Sequence, residues 1–135
     1  MRYFDSHVIF NYVVVQDYAK NQRANRLILD AITDARFVIS TLVVQELGYG
    51  LARFDLEAKQ IRVELEFLTS LNISTVSKSD LNRALQLAEM IGFKHIKDCI
   101  HTAVAENLEC ESLYTYNKSD FRRIQKFTDL EIIIL

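Results

Sequence analysis

A helix, a strand and a polar turn follow one another in GFKHIKDCIHTAVAENLECESLYTYNKSDF, residues 92–121. The pattern predicts a helix that carries Asp98 near its start, a strand over residues 112–116 and a turn over 117–120, before Phe121. Binding sites of α/β domains form outside the carboxyl ends of parallel strands, so Asp98 and the turn acid are candidate metal ligands. Two carboxylates alone are weak support. A site requires earlier parts of the chain to bring acids to the same edge.

The composition is that of one domain, residues 1–135. Half of the residues are apolar, which is enough for a core without metal or disulfide cross-links. The formal net charge of −2 argues against a protein that coats nucleic acid in general. Cys99 and Cys110 match no metal-binding spacing, which favours reduced thiols in a cytoplasmic protein. We expect no membrane association, because there is no signal peptide and no apolar run near the ~20 residues of a membrane helix.

Strands and helices alternate along the chain, with no proline and no low-complexity segment. This alternation predicts an α/β fold with a mostly parallel central sheet flanked by helices. The predicted strands are residues 2–4, 37–40, 73–76, 112–116 and 130–135. The main predicted helices cover residues 18–35, 42–54, 56–71 and a segment that ends near residue 91.

Two details of helix packing also follow from the pattern. In the helix that ends near residue 91, we expect Ser79-Asp80 to form the cap and Leu81 and Leu85 to point inward with the alanines. Gly48 and Gly50 lie inside a helix, so they do not form a phosphate loop. Close packing against another helix, within the chain or across a dimer, is the better explanation of these glycines.

Further acids follow the first two predicted strands. Asp5 ends the first strand and Ser6 is predicted to be the N-cap of the next helix. Taken alone, helix capping is the simpler role for both residues. Glu46 lies just over one turn beyond the second strand, at the same edge as Asp5. A solvated helix face is the alternative for Glu46.

The sequence around Asp98 supports two different environments for its side chain. A helical wheel places it opposite the apolar stripe of its helix, which favours a solvated or helix-capping aspartate. Thr102 and Ala105 share its side and are small, so another part of the chain could approach there. Three or four converging carboxylates repel one another unless a cation lies among them. Ligation by oxygen atoms suits Mg²⁺ or Mn²⁺.

Together these motifs resemble those of the PIN-domain ribonucleases. Length and element order resemble the VapC-type toxins of prokaryotic toxin–antitoxin pairs, and the resemblance covers essentially the whole chain. The motifs that carry it are Asp5-Ser6, Glu46, Lys97-Asp98, and residues 113–117 running to Asp120-Phe121. The chain departs from the pattern at His7, where many members carry a small polar residue, and at Asn117, which is often Asp.

The resemblance implies a Mg²⁺-dependent endoribonuclease that cuts single-stranded or loop RNA. It also implies a homodimer held inactive by a cognate antitoxin. Asp5 and Asp98 would be metal ligands, and Asp120 a ligand directly or through water. Glu46 would orient the attacking water or support the ligands, and Ser6 would contribute a hydroxyl. Whether Asp120 or Asn117 completes the site remains open at this stage.

Basic residues flank the acidic segments and are candidates for holding RNA phosphates. They are Lys94, Lys97, Lys118, Arg122 and Arg123. An ordinary solvated face explains these five equally well.

Other functional classes fit less well. A phosphoacceptor receiver domain needs a pair of acids after its first strand, where this chain has only Asp5. A haloacid-dehalogenase-type phosphatase needs a second Asp where His7 stands. The alternative that stays open is a catalytically inert PIN-like module that binds RNA or a protein.

Overall fold

Five short strands form one sheet in the computed structural model, which describes residues 1–135. In chain order they are β1 (Arg2–Phe4), β2 (Phe37–Ser40), β3 (Ile73–Ser74), β4 (Ser112–Thr115) and β5 (Glu131–Ile134). Their spatial order is β3-β2-β1-β4-β5, and every neighbouring pair is parallel. The first strand of the chain therefore lies at the centre of the sheet.

Seven helices flank the sheet, because each return between parallel strands needs a crossover. They are α1 (Ser6–Val13), α2 (Tyr18–Thr33), α3 (Thr41–Arg53), α4 (Ala58–Thr69), α5 (Lys78–Ile91), α6 (Ile96–Asn107) and α7 (Lys118–Ile124). The predicted three-layer α/β fold with a parallel sheet is confirmed. Apart from the differences described below, element boundaries agree with the predicted ones to within about two residues.

The centre of the sheet is aromatic. Tyr3 and Phe4 of β1 are fully buried. The ring of Phe4 stacks between Phe37 of β2 and Tyr114 of β4, with ring centroids 5.5 and 5.0 Å away. Burial on both faces is the usual environment of parallel strands, and it fixes the relative positions of the three central strand ends.

Two predicted helix caps are wrong by one or two residues. The N-cap of α1 is Asp5, whose carboxylate accepts a hydrogen bond from the third backbone N–H of the helix at 3.2 Å, and Ser6 is the first helical residue. The N-cap of α5 is Ser77, which forms a capping box with Asp80, in place of the predicted Ser79-Asp80 cap. Adjacent Ser and Asp residues are both good caps, so sequence alone does not choose between them.

The predicted polar turn before Phe121 is the start of helix α7. The side chain of Asn117 caps this helix by accepting a hydrogen bond from the backbone N–H of Asp120 at 3.4 Å. Asp120 in the first turn and Arg122 and Arg123 in the last turn match the helix dipole, which explains why the segment is helical. The helix fixes the direction in which the Asp120 side chain points.

The predicted inward positions of Leu81 and Leu85 are wrong, since these side chains are 42% and 46% exposed. Helix α5 instead buries Ala84, Leu87 and Ala88. The two alanines allow a close approach to another helix, and α5 makes its most extensive helix contacts with α6. Tight packing on the small residues therefore turns the leucines outward.

The glycines of α3 lie at close contacts within the chain. A Cβ atom at Gly48 would come 3.2 Å from Cδ1 of Leu65 in α4, and one at Gly50 would come 3.5 Å from the ring of Phe10 in α1. Of the two explanations expected from sequence, packing within the chain is the one observed.

Cys99 and Cys110 are free and buried, and burial raises the pKa of each thiol to about 11. They are packing residues, as predicted. No helix combines the length and the hydropathy that a membrane span requires.

An ion pair joins α5 and α6 on the side of the fold that carries β5. Nε and Nη2 of Arg83 donate to the two carboxylate oxygens of Glu106 at 2.7 and 3.0 Å. Glu106 also accepts a hydrogen bond from the Thr128 hydroxyl, and Arg83 donates to the carbonyl of Phe127 at 2.9 Å. Burial alone would raise the pKa of Glu106, but the bonds from Arg83 and Thr128 lower it further than burial raises it.

We predict that Arg83→Met lowers the free energy of unfolding by about 1–3 kcal/mol, because it leaves a largely buried carboxylate without its main partner. Arg62→Met is the matched control, since Arg62 pairs with Glu66 in an exposed i,i+4 bridge at 2.8 Å. The control should cost no more than about 0.5 kcal/mol. Urea denaturation of both variants measures the difference, and equal costs would contradict the assigned role of Arg83.

Candidate active site

Four acids lie near the carboxyl ends of the three central strands. Asp5 directly follows β1, and Glu46 lies in α3, the helix that follows β2. Asp98 is in the first turn of α6, and Asp120 is in the first turn of α7, just beyond β4. Because β1, β2 and β4 are parallel neighbours, these ends share one edge of the sheet.

Asp5 is the most deeply buried of the acids, at 1% exposure. One carboxylate oxygen accepts a 2.5 Å hydrogen bond from the hydroxyl of Thr115, and the other accepts the backbone bond that caps α1. Burial raises the pKa of Asp5, although the Thr115 bond and the neighbouring His101 and His7 partly oppose the shift. Asp5 is therefore held rigidly between two strand ends.

Both carboxylate oxygens of Glu46 have side-chain partners. Oε2 accepts a hydrogen bond from the hydroxyl of Ser6 at 3.1 Å, and Oε1 lies 2.7 Å from Nε2 of His101. Burial would raise the pKa of Glu46, but the hydrogen bond from His101, with smaller effects of Ser6 and Lys97, lowers it overall. Glu46 is therefore ionised at neutral pH and well fixed.

His101 belongs to a buried polar network that sequence reasoning missed. Its Nδ1 lies 2.7 Å from the hydroxyl of Tyr3, which lies 2.7 Å from Oγ of Ser40. The only sequence signal is that His101 is a polar residue among small and apolar ones in α6. That signal does not indicate which acid the imidazole contacts.

Asp98 and Asp120 face the same amide group. Nδ2 of Asn117 donates to Oδ2 of Asp98 at 2.9 Å and to Oδ2 of Asp120 at 3.1 Å. Nδ1 of His95 lies 3.0 Å from the other oxygen of Asp120. Sequence reasoning also missed His95, which ends the 3₁₀ turn before α6.

The two aspartates differ in charge state. Burial, the shared hydrogen bonding with Asp120 and the charges of Asp5, Asp120 and Glu46 raise the pKa of Asp98 to about 8. Burial also acts to raise the pKa of Asp120, but hydrogen bonds to Asp98, Asn117 and His95 lower it overall. At neutral pH one carboxyl of the pair is largely protonated, which is the expected response to closely placed like charges.

The helical wheel gave the wrong environment for Asp98. The side chain is partly buried, and Thr102 and Ala105 on the same side of α6 are fully buried. The small residues let the rest of the fold approach, as one of the two interpretations of the sequence required. The hydroxyl of Thr102 donates to the backbone carbonyl of Asp98 at 2.8 Å.

No group of three His, Cys, Asp or Glu side chains is arranged tightly enough to hold a metal ion as the side chains stand. The donor chemistry nevertheless suits a hard cation, because carboxylate oxygens dominate the cluster. The amide of Asn117 lies between Asp98 and Asp120, where it partly offsets their negative charge. This amide would have to move for both carboxylates to face one cation.

A cleft of about 1160 Å³ is lined by Ser6, His7, Glu46 and Asn117. Glu46 is the one acid of the four that lines it. Two pairs of a cation and an aromatic ring also line this cleft. Lys20 lies 5.2 Å from the ring centre of Tyr116, and Arg53 lies 5.8 Å from that of Tyr49.

The five basic residues predicted to hold RNA are all exposed, but they are not all in the cleft. Lys97 lines it beside Glu46. Lys94, Lys118 and Arg122 do not line it, and Arg123 instead contacts Nε2 of His95 at 3.4 Å. Lys20 and Arg53 line the cleft and were not predicted, because they are distant in sequence from the acids.

Three solved structures are similar to this chain in fold. The chain is similar to VapBC2 from Rickettsia felis bound to a promoter DNA fragment, at 20% identity over 100% of this chain and 99% of that chain, with a TM-score of 0.72. It is similar to FitAcB from Neisseria gonorrhoeae, at 19% identity over 98% and 96%, with a TM-score of 0.71. A toxin–antitoxin complex from Klebsiella pneumoniae matches at 20% identity over 90% of each chain, with a TM-score of 0.66.

No curated protein sequence matches the chain. The family model described as "PIN domain" matches residues 2–127. That match spans β1 to the end of α7 and includes every acid of the candidate site. The chain therefore belongs to the PIN domain family.

Proposed function

We propose that this chain is a Mg²⁺-dependent endoribonuclease that cleaves single-stranded or loop RNA and acts as the VapC-type toxin of a toxin–antitoxin pair. The observation that carries the proposal is that Asp5, Glu46, Asp98 and Asp120 lie at one edge of the sheet, next to a cleft that Glu46 lines. Burial, hydrogen bonding with Asp120 and the charges of the neighbouring acids raise the pKa of Asp98 to about 8. Such a cluster destabilises the fold when no cation is bound, and a bound cation would offset its negative charge.

Asp5, Asp98 and Asp120 are the residues that would hold the ion, which is Mg²⁺ or the similar Mn²⁺. Asn117 is less suited, because its Oδ1 caps α7 and its NH₂ group points at the aspartates. When bound, the ion supplies a coordinated water of lowered pKa and neutralises charge on the phosphoryl oxygens.

Glu46 has the protonation state and the restraint that a general base or water-orienting group needs. It is ionised, and Ser6 and His101 fix its two oxygens. Its proposed role is to hold the attacking water in line with the phosphorus and to accept a proton from it. The Ser6 hydroxyl keeps Glu46 turned toward the cleft that Ser6 also lines.

The cleft supports a single RNA strand as the substrate. Lys20, Arg53 and Lys97 offer cations to the phosphates. The Tyr49 side chain is 66% exposed, and Tyr49 and Tyr116 offer aromatic faces to unstacked bases. A paired duplex hides its bases, so a cleft with aromatic walls favours unpaired RNA.

The antitoxin and homodimer parts of the proposal rest on membership of the PIN domain family and on the similarity in fold to a toxin–antitoxin complex from Klebsiella pneumoniae. The exposed Leu81 and Leu85 of α5 give the chain an apolar surface suited to a protein partner. As the toxin of such a pair, the chain would act in the cytoplasm and would be inhibited there by its antitoxin.

A catalytically inert PIN-like module that binds RNA or protein is the second candidate. It is favoured by the absence of a ready-made group of three metal ligands and by the Asn117 amide that separates Asp98 from Asp120. In that case the cleft binds its partner and the acids have no catalytic task.

We predict that stability of the metal-free protein falls as the pH rises from about 4 to about 8. Folded Asp98 keeps its proton up to a pKa of about 8, whereas the unfolded chain loses it near pH ~4. The folded state therefore binds more protons in this window, and deprotonation favours unfolding.

We expect Asp98→Asn to remove this fall in stability with rising pH. In EDTA the variant should melt close to wild type at pH 4 and several degrees above it at pH 8, roughly 1 kcal/mol or more. Asp30→Asn, at an exposed position of α2, is the control and should follow the wild-type curve. Parallel melting curves of Asp98→Asn and wild type across this pH range would contradict the assigned environment of Asp98.

We predict that the wild-type chain cleaves unstructured RNA in millimolar Mg²⁺ and stops in EDTA. Asp98→Asn should lower kcat/KM by about 100-fold or more, because it removes a metal-binding carboxylate, while Asp30→Asn stays at the wild-type rate. The same Asp98 variant should relieve growth inhibition when the chain is expressed without an antitoxin. RNA binding by the wild type without cleavage in Mg²⁺ or Mn²⁺ would favour the inert module.

A further inference from the structure

A continuous line of hydrogen bonds runs from the interior of the sheet to the cleft. It passes through Ser40, Tyr3, His101, Glu46 and Ser6, with successive heavy-atom distances of 2.7, 2.7, 2.7 and 3.1 Å. The first three members are at most 1% exposed. Water therefore does not compete for their bonds, and every proton in the line has a defined position.

The Glu46 carboxylate, as an obligatory acceptor, sets the direction of the hydrogen bonds in this line. The Glu46 carboxylate can only accept, so Nε2 of His101 must donate to it. The hydroxyl of Tyr3 then donates to Nδ1 of a neutral imidazole, and the hydroxyl of Ser40 donates to the Tyr3 oxygen. In this arrangement each of the three hydrogens has one acceptor.

A doubly protonated imidazole would reverse the inner bonds. Nδ1 of His101 would donate to the Tyr3 oxygen and the Tyr3 hydroxyl would donate to Ser40. The Ser40 hydroxyl hydrogen would then have no acceptor, because Ser40 caps α3 without a side-chain bond and has Tyr3 as its one side-chain partner. Burying an unsatisfied hydroxyl is costly, so the network selects the neutral Nε2–H tautomer.

The line also links the elements that carry the acids. Tyr3 lies two residues before Asp5 in the chain, and His101 lies one turn beyond Asp98 in α6. Ser40 ends β2 and caps α3, the helix that carries Glu46. A side chain in this line is therefore positioned by the same backbone that positions the site.

We infer that His101, held in one orientation by Tyr3 and Ser40, is a positioning residue that fixes the Glu46 carboxylate for the reaction. The inference rests on the proposed ribonuclease function. Without the Tyr3 hydroxyl, Nδ1 of His101 loses its side-chain partner and the imidazole is no longer held at that end. A ring that is free to turn would carry its Nε2–H away from Glu46 and release the carboxylate from its position beside Ser6.

The test uses Tyr3→Phe, which removes one hydroxyl far from the RNA and leaves Glu46 and His101 in place. The turnover number kcat should fall by about 10-fold or more while KM for RNA stays unchanged, because the hydroxyl is buried and contacts no substrate. Tyr114→Phe is the matched control. Tyr114 is a buried tyrosine of the neighbouring strand that stacks on Phe4, and its hydroxyl is outside the line.

A second measurement requires neither activity nor a folded variant. The ¹⁵N chemical shifts of the His101 imidazole in the metal-free wild type should show a protonated Nε2 and an unprotonated Nδ1. In Tyr3→Phe, where it folds, the Nδ1 chemical shift should move because Nδ1 loses the hydrogen bond from the Tyr3 hydroxyl, and Tyr114→Phe should match the wild type.

The outcomes separate the two proposals. A wild-type chain with the Nε2–H tautomer that cleaves no RNA overturns the ribonuclease function, and the catalytic purpose of the line with it. A cleaving wild type whose His101 is doubly protonated or protonated on Nδ1 overturns the positioning role alone. So does a folded Tyr3→Phe protein with wild-type kcat.

Discussion

The hydroxyl of Thr115 links Asp5, at the end of β1, to the segment that begins at Asn117 and carries Asp120. It donates to the Asp5 carboxylate at 2.5 Å and accepts from the backbone N–H of Asn117 at 2.9 Å. The first bond crosses from β4 to the end of β1, and the second directs the chain into α7. The parallel β1–β4 register, in which Phe4 lies beside Tyr114, brings these atoms within reach. Buried, fully satisfied bonds of this kind define one geometry.

Charge is the second constraint on the site. The fold brings Asp98 and Asp120 toward each other. The amide of Asn117, the imidazole of His95 and the proton retained on Asp98 reduce the repulsion between the two carboxyl groups. Structures that place like charges together away from water do so at a cost in stability. A bound cation would offset this charge, which is the reason for the metal site proposed here.

The fold and the position of the acids at one edge of the sheet could be predicted from the sequence because both depend on local patterns. Apolar strands alternate with amphipathic helices, and each acid follows a strand or begins a helix. Sequence could not orient α5, since the close approach of Ala84 and Ala88 to α6 outweighs the hydrophobicity of Leu81 and Leu85. It also missed the first turn of α7, where the Asn117 cap makes a helix of a segment with turn composition.

The partners of the acids were the least predictable part. Tyr3, Ser40 and His101 are separated by tens of residues in sequence and meet only through the sheet register. Nothing in the spacing distinguishes His101 from a histidine that merely packs. The cations of the cleft wall, Lys20 and Arg53, were missed for the same reason, because helices distant in sequence bring them together.

We propose that the acids are arranged for one divalent cation, with Asp120 and not Asn117 completing its ligands. Calorimetric titration of the metal-free protein with Mg²⁺ tests this most directly, using wild type, Asp120→Asn and Asn117→Ala. We expect the wild type to bind about one ion per chain with saturation, since three carboxylates suit one such cation. Binding should be largely lost in Asp120→Asn and retained in Asn117→Ala. A wild-type chain that binds no Mg²⁺ or Mn²⁺ at millimolar concentration, or an Asp120→Asn protein that binds as the wild type does, would contradict it.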